Sequence, residues 1–149
     1  MQWFKRHLMW GLTAWLWLPL AGAAAELAVD NAHLRLLPGE LPAAGYFDLR
    51  NTGDTRHVLV GAKSAAFERV VMHESSENNG TASMKRMKQL TLAPGERVRF
   101  APGGYHLMFM ERTRPLEVGD EASVTLEFVD EQRLPVTFRV VSPTFTQEE

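Results

Sequence analysis

The sequence predicts an all-β domain of the sandwich or barrel type. Short apolar runs recur about every ten residues, clusters of Gly, Pro, Asn and Asp separate them, and the later runs alternate apolar with polar residues. Such spacing suits a sandwich or barrel. No internal repeat, low-complexity tract or second domain breaks the pattern.

The elements follow in chain order. Strands are expected near Leu27–Val29 and His33–Leu37, ending at Pro38-Gly39. Ala44–Asn51 follows and stops at Asn51-Thr52-Gly53-Asp54, where Asn, Gly and Asp favour a turn. His57–Ala65 and Phe67–Ser75 come next. Asn78-Asn79-Gly80 marks a tight hairpin, because Asn-Gly tolerates the positive φ that a two-residue turn needs. A strand near Met84–Leu90 precedes Pro94-Gly95, and Arg97–Phe100 precedes Pro102-Gly103-Gly104. Tyr105–Met110, Ser123–Val129 and Leu134–Val141 complete the set, with a turn at Gly119-Asp120. Val98 with Phe100, Val124 with Leu126 and Phe128, and Val136 with Phe138 and Val140 each fall on one strand face, which marks them as core. The tail Thr144–Glu149 is polar and is expected to fray.

Residues 1–25 read as a secretory signal peptide. Lys5, Arg6 and His7 form the positive start, Leu8–Leu20 the apolar run, and Ala21-Gly22-Ala23 or Ala23-Ala24-Ala25 the cleavage pattern. An uncleaved membrane anchor is the alternative, but the run falls short of the ~20 residues that a spanning helix needs. No stable membrane insertion is therefore expected after cleavage, and residues 26–149 are the size of a single domain. Export to the periplasm of a Gram-negative cell is the expected location. The chain has no cysteine, so no disulfide staples the fold and no lipid-anchored lipoprotein is expected. Removing Lys5 and Arg6 from the 16 basic residues leaves 14 against 18 acidic ones, a net charge near -4. Basic and acidic residues interleave without blocks, which argues against nucleic acid as a partner.

Five of the seven methionines lie between Met72 and Met110, with two histidines among them: Met72, His73, Met84, Met87, His106, Met108 and Met110. Thioethers stay reduced where thiols oxidise, and soft sulfur with imidazole suits Cu(I) better than any hard cation. In Tyr105–Met110, alternation sends Tyr105, Leu107 and Phe109 to one face and His106, Met108 and Met110 to the other. Ordinary packing of Met108 and Met110 on a strand buried on both faces explains that strand as well as ligation does. Counting outward from an Asn79-Gly80 turn places His73 opposite Arg86, with Met84 diagonal to His73 on the same face and Met72 opposite Met87 on the other. A bulge would spoil this register. For the hairpin alone, a locally bonded His73 and core methionines are the stronger account.

Together the two pairs offer two nitrogens and two sulfurs, all neutral, which suit tetrahedral or trigonal Cu(I). Zinc prefers Cys, His or carboxylate. Blue-copper and dinuclear electron-transfer centres need a thiolate, which this chain lacks, so that role is excluded.

The spacing His73-x10-Met84-x21-His106-x-Met108 resembles the motif of the periplasmic copper chaperone PCu(A)C family. The stretch AGYFDLRNTGDTRHVLVGAKS is similar to that family's first strands, VVMHES to its first ligand strand, and LAPGERVRFAPGGYHLMFM to its turn and second ligand strand. The similarity runs from about Val29 to Val141. It implies a cupredoxin-like Greek-key β-sandwich with an exposed Cu(I) site formed by His73, Met84, His106 and Met108. It also implies delivery to the copper centres of cytochrome c oxidase, the CuA site especially, often alongside a Sco-type thiol protein. Met72, Met87 and Met110 are not carried over as ligands. The chain ends without the His/Met-rich extension of some members, so a second site is not expected. His33 and His57 fall outside the motif and are expected to be solvated or locally hydrogen-bonded. Gly103-Gly104 is expected to ease an acceptor's approach.

An enzyme is not expected: no Gly-x-Ser-x-Gly elbow occurs, no cysteine nucleophile exists, and neither cleavage leaves an N-terminal histidine. Copper storage or detoxification, or an envelope interaction domain with a methionine-rich docking surface, are the alternatives to delivery.

Overall fold

A computed structural model describes residues 26–147. The signal peptide expected over residues 1–25, and the last two residues of the expected domain, lie outside the described residues. The described chain forms ten strands: β1 (Leu27–Arg35), β2 (Ala43–Asn51), β3 (His57–Lys63), β4 (Phe67–Asn78), β5 (Thr81–Arg86), β6 (Leu90–Leu92), β7 (Arg97–Phe100), β8 (Tyr105–Arg112), β9 (Glu121–Phe128) and β10 (Arg133–Val141). Their hydrogen-bonded order is β5-β4-β8-β7-β2-β1-β10-β9-β3-β6. Most neighbours run antiparallel; β1 with β10 and β7 with β8 run parallel.

The ladder folds over on itself into two layers. β3 packs on β4, although the two stand near opposite ends of the order. Phe109 of β8 meets Phe138 of β10 at 6.0 Å and Phe67 of β4 at 5.0 Å between ring centroids. Phe47 stacks on Phe100 at 4.2 Å. The alternation in the sequence produces this core: Ala122, Val124, Leu126 and Phe128 are buried along β9 while their neighbours are more exposed. Each fully buried Leu or Phe contributes about 1.5–3 kcal/mol. Strand β5 differs from the rest, for all six of its residues are exposed and none joins the core.

Two expectations need correction. The stretches read as separate strands before and after residue 30 form one strand, β1, with a bulge between Asp30 and His33. Asn31 sits there at φ 57 and donates its side-chain amide to Asp48 Oδ2 at 2.9 Å. Asn tolerates that conformation, and one bulge absorbs what alternation alone reads as a break. The strand expected over residues 84–90 is instead two, β5 and β6, because the chain leaves β4 after Arg86 to pair with β3.

Gly45 of β2 lies directly under the core rings. A Cβ there would meet Phe109 Cε2 at 2.5 Å and Phe138 Cε1 at 3.2 Å. Neither buried ring has room to retreat, so Gly45→Ala is expected to cost about 1–3 kcal/mol. A urea unfolding midpoint unchanged from the parent would contradict this.

Candidate metal centre

The site rests on three adjacent strands at one end of the ladder. Asn79 and Gly80 both take positive φ, 52° and 77°, and form the tight turn between β4 and β5. The ladder then runs without a bulge from Asn78 opposite Thr81 to His73 opposite Arg86. Met84 faces Ser75, two rungs from His73 and on the same face, as the turn chemistry implied. On its other side β4 pairs with β8, and there His73 stands directly opposite His106. Their rings meet edge to face with centroids 5.6 Å apart. Met108 pairs with Val71 two rungs along, so it lies diagonal to His73 and on the same face as His106. One sheet face thus carries Met84, His73, His106 and Met108 in neighbouring positions across three strands.

The four differ in exposure. His106 is 5% exposed and Met84 55% exposed. His73 and Met108 are half-buried. The centre therefore has a buried floor and an open flank on β5.

Hydrogen bonds orient the imidazoles. His106 Nδ1 lies 3.3 Å from the carbonyl of Gly104. A carbonyl only accepts, so this contact puts the proton on Nδ1 and leaves the lone pair on Nε2. The same carbonyl accepts the Ser75 N–H at 3.0 Å, which ties the glycine turn to β4. Gly104 is thus fixed where the sequence suggested loose glycines, and it serves as the orienter of His106. His73 Nδ1 is buried without a hydrogen-bond partner. An imidazole nitrogen without a protein partner, beside a second imidazole, suits a ligand role. Burial holds the His73 pKa below the ordinary 6.5, and the His106 and Arg86 charges push it the same way. The ring is therefore the neutral base that a metal needs at neutral pH.

The other methionines take different roles. Met72 is 2% exposed in the core, and its carbonyl accepts the Met87 N–H at 2.9 Å. Met87 packs against that core. Met110 shares the ligand face, but its sulfur accepts from Arg69 Nη2 at 3.6 Å.

His33 and His57 take the hydrogen-bonded one of their two expected states. His33 and His57 are 7% and 5% exposed, so neither is solvated. Both are hydrogen-bonded, His33 Nδ1 to the Asn31 carbonyl at 2.9 Å and His57 Nε2 to Glu26 Oε2 at 2.9 Å. His33 also begins a row that the sequence reading missed. It pairs with Tyr46, whose ring lies 6.5 Å from His106, which in turn meets His73. Only register across four strands reveals this line, and no local spacing encodes it.

Burial also lowers the His33 pKa from 6.5, and Arg35 and Arg139 assist, against the raising effect of the Asn31 carbonyl. For His33 and His73 alike, the unfolded chain takes up protons before the folded one. Their contribution to stability is therefore full above pH 6.5 and is lost as pH falls through 6.5 toward the lower folded values. The thermal midpoint is expected to fall from about pH 7.5 to about pH 5.5, with a shallower slope in His33→Gln.

Comparison with known proteins gives the family and the fold. Residues 27–140 match the model of the family described as "Putative lipoprotein LpqE-like". The chain belongs to the LpqE-like family. It is 30% identical to the copper-bound PCuAC domain from PmoF2, with a TM-score of 0.67, over 81% of this chain and 97% of that one. Against the solution structure of CuI-DR1885 from Deinococcus radiodurans, the identity is 28% and the TM-score 0.65, over 81% of each chain. The fold of this LpqE-like chain is accordingly the cupredoxin-like β-sandwich of PCuAC domains. A "Putative lipoprotein Lxx21020" of Leifsonia xyli subsp. xyli is 38% identical over 98 residues, 65% of this chain. The chain spans 59% of that relative's length.

Proposed function

We propose that this LpqE-like protein is a periplasmic copper chaperone. It binds one Cu(I) through His73, Met84, His106 and Met108 and delivers it to copper centres of cytochrome c oxidase, the CuA site above all. The observation that carries this reading is the direct pairing of His73 with His106, flanked on the same face by Met84 and Met108. The copper-bound PCuAC domain and CuI-DR1885 support Cu(I) as the cargo. Among the described residues, no three His, Asp or Glu side chains are placed to hold a metal, so a hard or zinc-type cage has no counterpart here.

The ligand set explains both capture and release. Thioethers carry no charge and no proton at neutral pH, so neither loading nor unloading requires proton transfer at sulfur. His106 forms the fixed inner wall and Met84 the exposed outer one. An acceptor's thiolates enter from the β5 side, add to the ion, and displace Met84 before the buried ligands let go. That open flank favours delivery over storage. No covalent chemistry on a substrate is required, so the role is not enzymatic. An acceptor such as an oxidase subunit or a Sco-type thiol protein supplies the thiolates.

Anaerobic Cu(I) titration followed by X-ray absorption tests the reading. One ion per chain with two nitrogen and two sulfur neighbours is expected. A shell without sulfur, or no retention against a Cu(I) chelator, would refute it. Loss of oxidase activity in a deletion strain grown at low copper tests the delivery step.

A further inference from the structure

We infer that the outer flank of the β5–β6 connection is a docking surface for an acidic segment of a partner, one that presents carboxylates around an apolar side chain. The inference rests on the copper-delivery reading and names the chemistry of the acceptor at that same site.

A hollow of about 410 Å³ lies beside the open side of the metal centre, lined by Val60, Arg86, Met87 and Lys88. Its apolar walls are Val60, 40% exposed, and Met87. Its rim is cationic. Neither Arg86 nor Lys88 has a carboxylate within ion-pair distance among the described residues, a state they share with Arg56 and Lys85, but of these four only Arg86 and Lys88 line an apolar hollow together. Arg86 is also the rung partner of His73, so the rim adjoins the ligands. Exposed Met84 lies on the same strand.

Protection of an open sheet edge is the ordinary reason for lysine on an outermost strand. It accounts for Lys85, which faces Glu74 across the hairpin. It does not account for an apolar hollow set between two unpaired cations next to an exposed thioether. Apolar anchor positions inside a charged rim are how interfaces divide affinity from steering. The sign is informative because the chain as a whole is negative, at -2. Bulk charge would repel an acidic partner, so an acidic segment would be drawn only to a local cationic patch such as this one.

The test uses the full apo-protein and two fluorescent peptides, identical except that a central leucine is flanked by aspartates in one and lysines in the other. By anisotropy at low salt, the aspartate peptide is expected to bind at least about tenfold tighter. The preference should vanish near 1 M salt, where the screening length is about 3 Å. Lys88→Glu should remove most of it while leaving Cu(I) affinity unchanged in a chelator competition. Equal binding of both peptides, or an aspartate preference untouched by Lys88→Glu, would overturn the inference. Because the peptide arm uses no copper, the two readings separate. Cu(I) retention without the preference sinks the docking surface alone, and the preference without Cu(I) retention sinks the chaperone reading alone.

Discussion

Replacing Met108 with leucine is expected to weaken Cu(I) binding by at least about 100-fold while the protein stays folded. Groups that merely orient a ligand cost about 10–100-fold when removed, so loss of a ligand should reach the upper end of that range or beyond. Leucine keeps the volume and loses only the sulfur, a change that costs less than about 1.5 kcal/mol even in a packed setting. The matching control is Met110→Leu. Met110 stands on the same face of β8, but its thioether is engaged by Arg69, so its loss should leave Cu(I) affinity nearly unchanged. Chelator-competition titrations of both variants decide the matter. Equal affinities for Met108→Leu and the parent would remove Met108 from the ligand set, and a large loss in Met110→Leu would add Met110 to it.

Phe109→Ala should give the largest loss of stability among single substitutions considered, about 3–5 kcal/mol. Phe109 is fully buried, reaches across the layers to Phe138 of β10 and packs beside Phe67 of the neighbouring strand β4. Against a typical domain stability of about 5–15 kcal/mol, that loss leaves a substantial unfolded population under mild stress. The same strand carries His106 and Met108 on its opposite face, so a cavity under Phe109 also loosens the bed of the metal centre. Urea unfolding is the check: the midpoint should drop sharply with little change in slope. A midpoint near that of the parent would show that the inter-layer packing described here does not carry the fold.

Much of this molecule is written in local chemistry. Asn79-Gly80 dictates a tight turn, and a tight turn with an even ladder forces His73 opposite Arg86 and Met84 onto the face of His73. Alternation in Tyr105–Met110 separates Leu107 and Phe109, both fully buried, from the ligand row. Other features depend on which strands become neighbours, and alternation says nothing about that. The pairing of His73 with His106 is an interstrand register over thirty-three residues of chain. The row from His33 through Tyr46 and His106 to His73 needs four strands in place. The β1 bulge was misread for a related reason: a single positive φ at Asn31 shifts the alternation and mimics a gap. The bond from His57 to Glu26 spans thirty-one positions, so local spacing does not reveal it.

Strand β5 holds its place through backbone pairing with β4, the turn and one exposed side-chain bond between Ser76 and Ser83 at 3.0 Å, since none of its side chains enters the core. Its detachment therefore has its own free energy, well below that of global unfolding. Amide exchange should show this as two separate populations, rapid along Thr81–Arg86 and slow along Tyr105–Arg112. On the proposed ligand set, Met84 thus rides on a hinged flap: peeling the flap would lower a bound ion's coordination from four to three while His73, His106 and Met108 keep their places on β4 and β8. Warming, or a visiting strand that competes for the hydrogen bonds of β4, would then set the off-rate of the cargo without endangering the carrier.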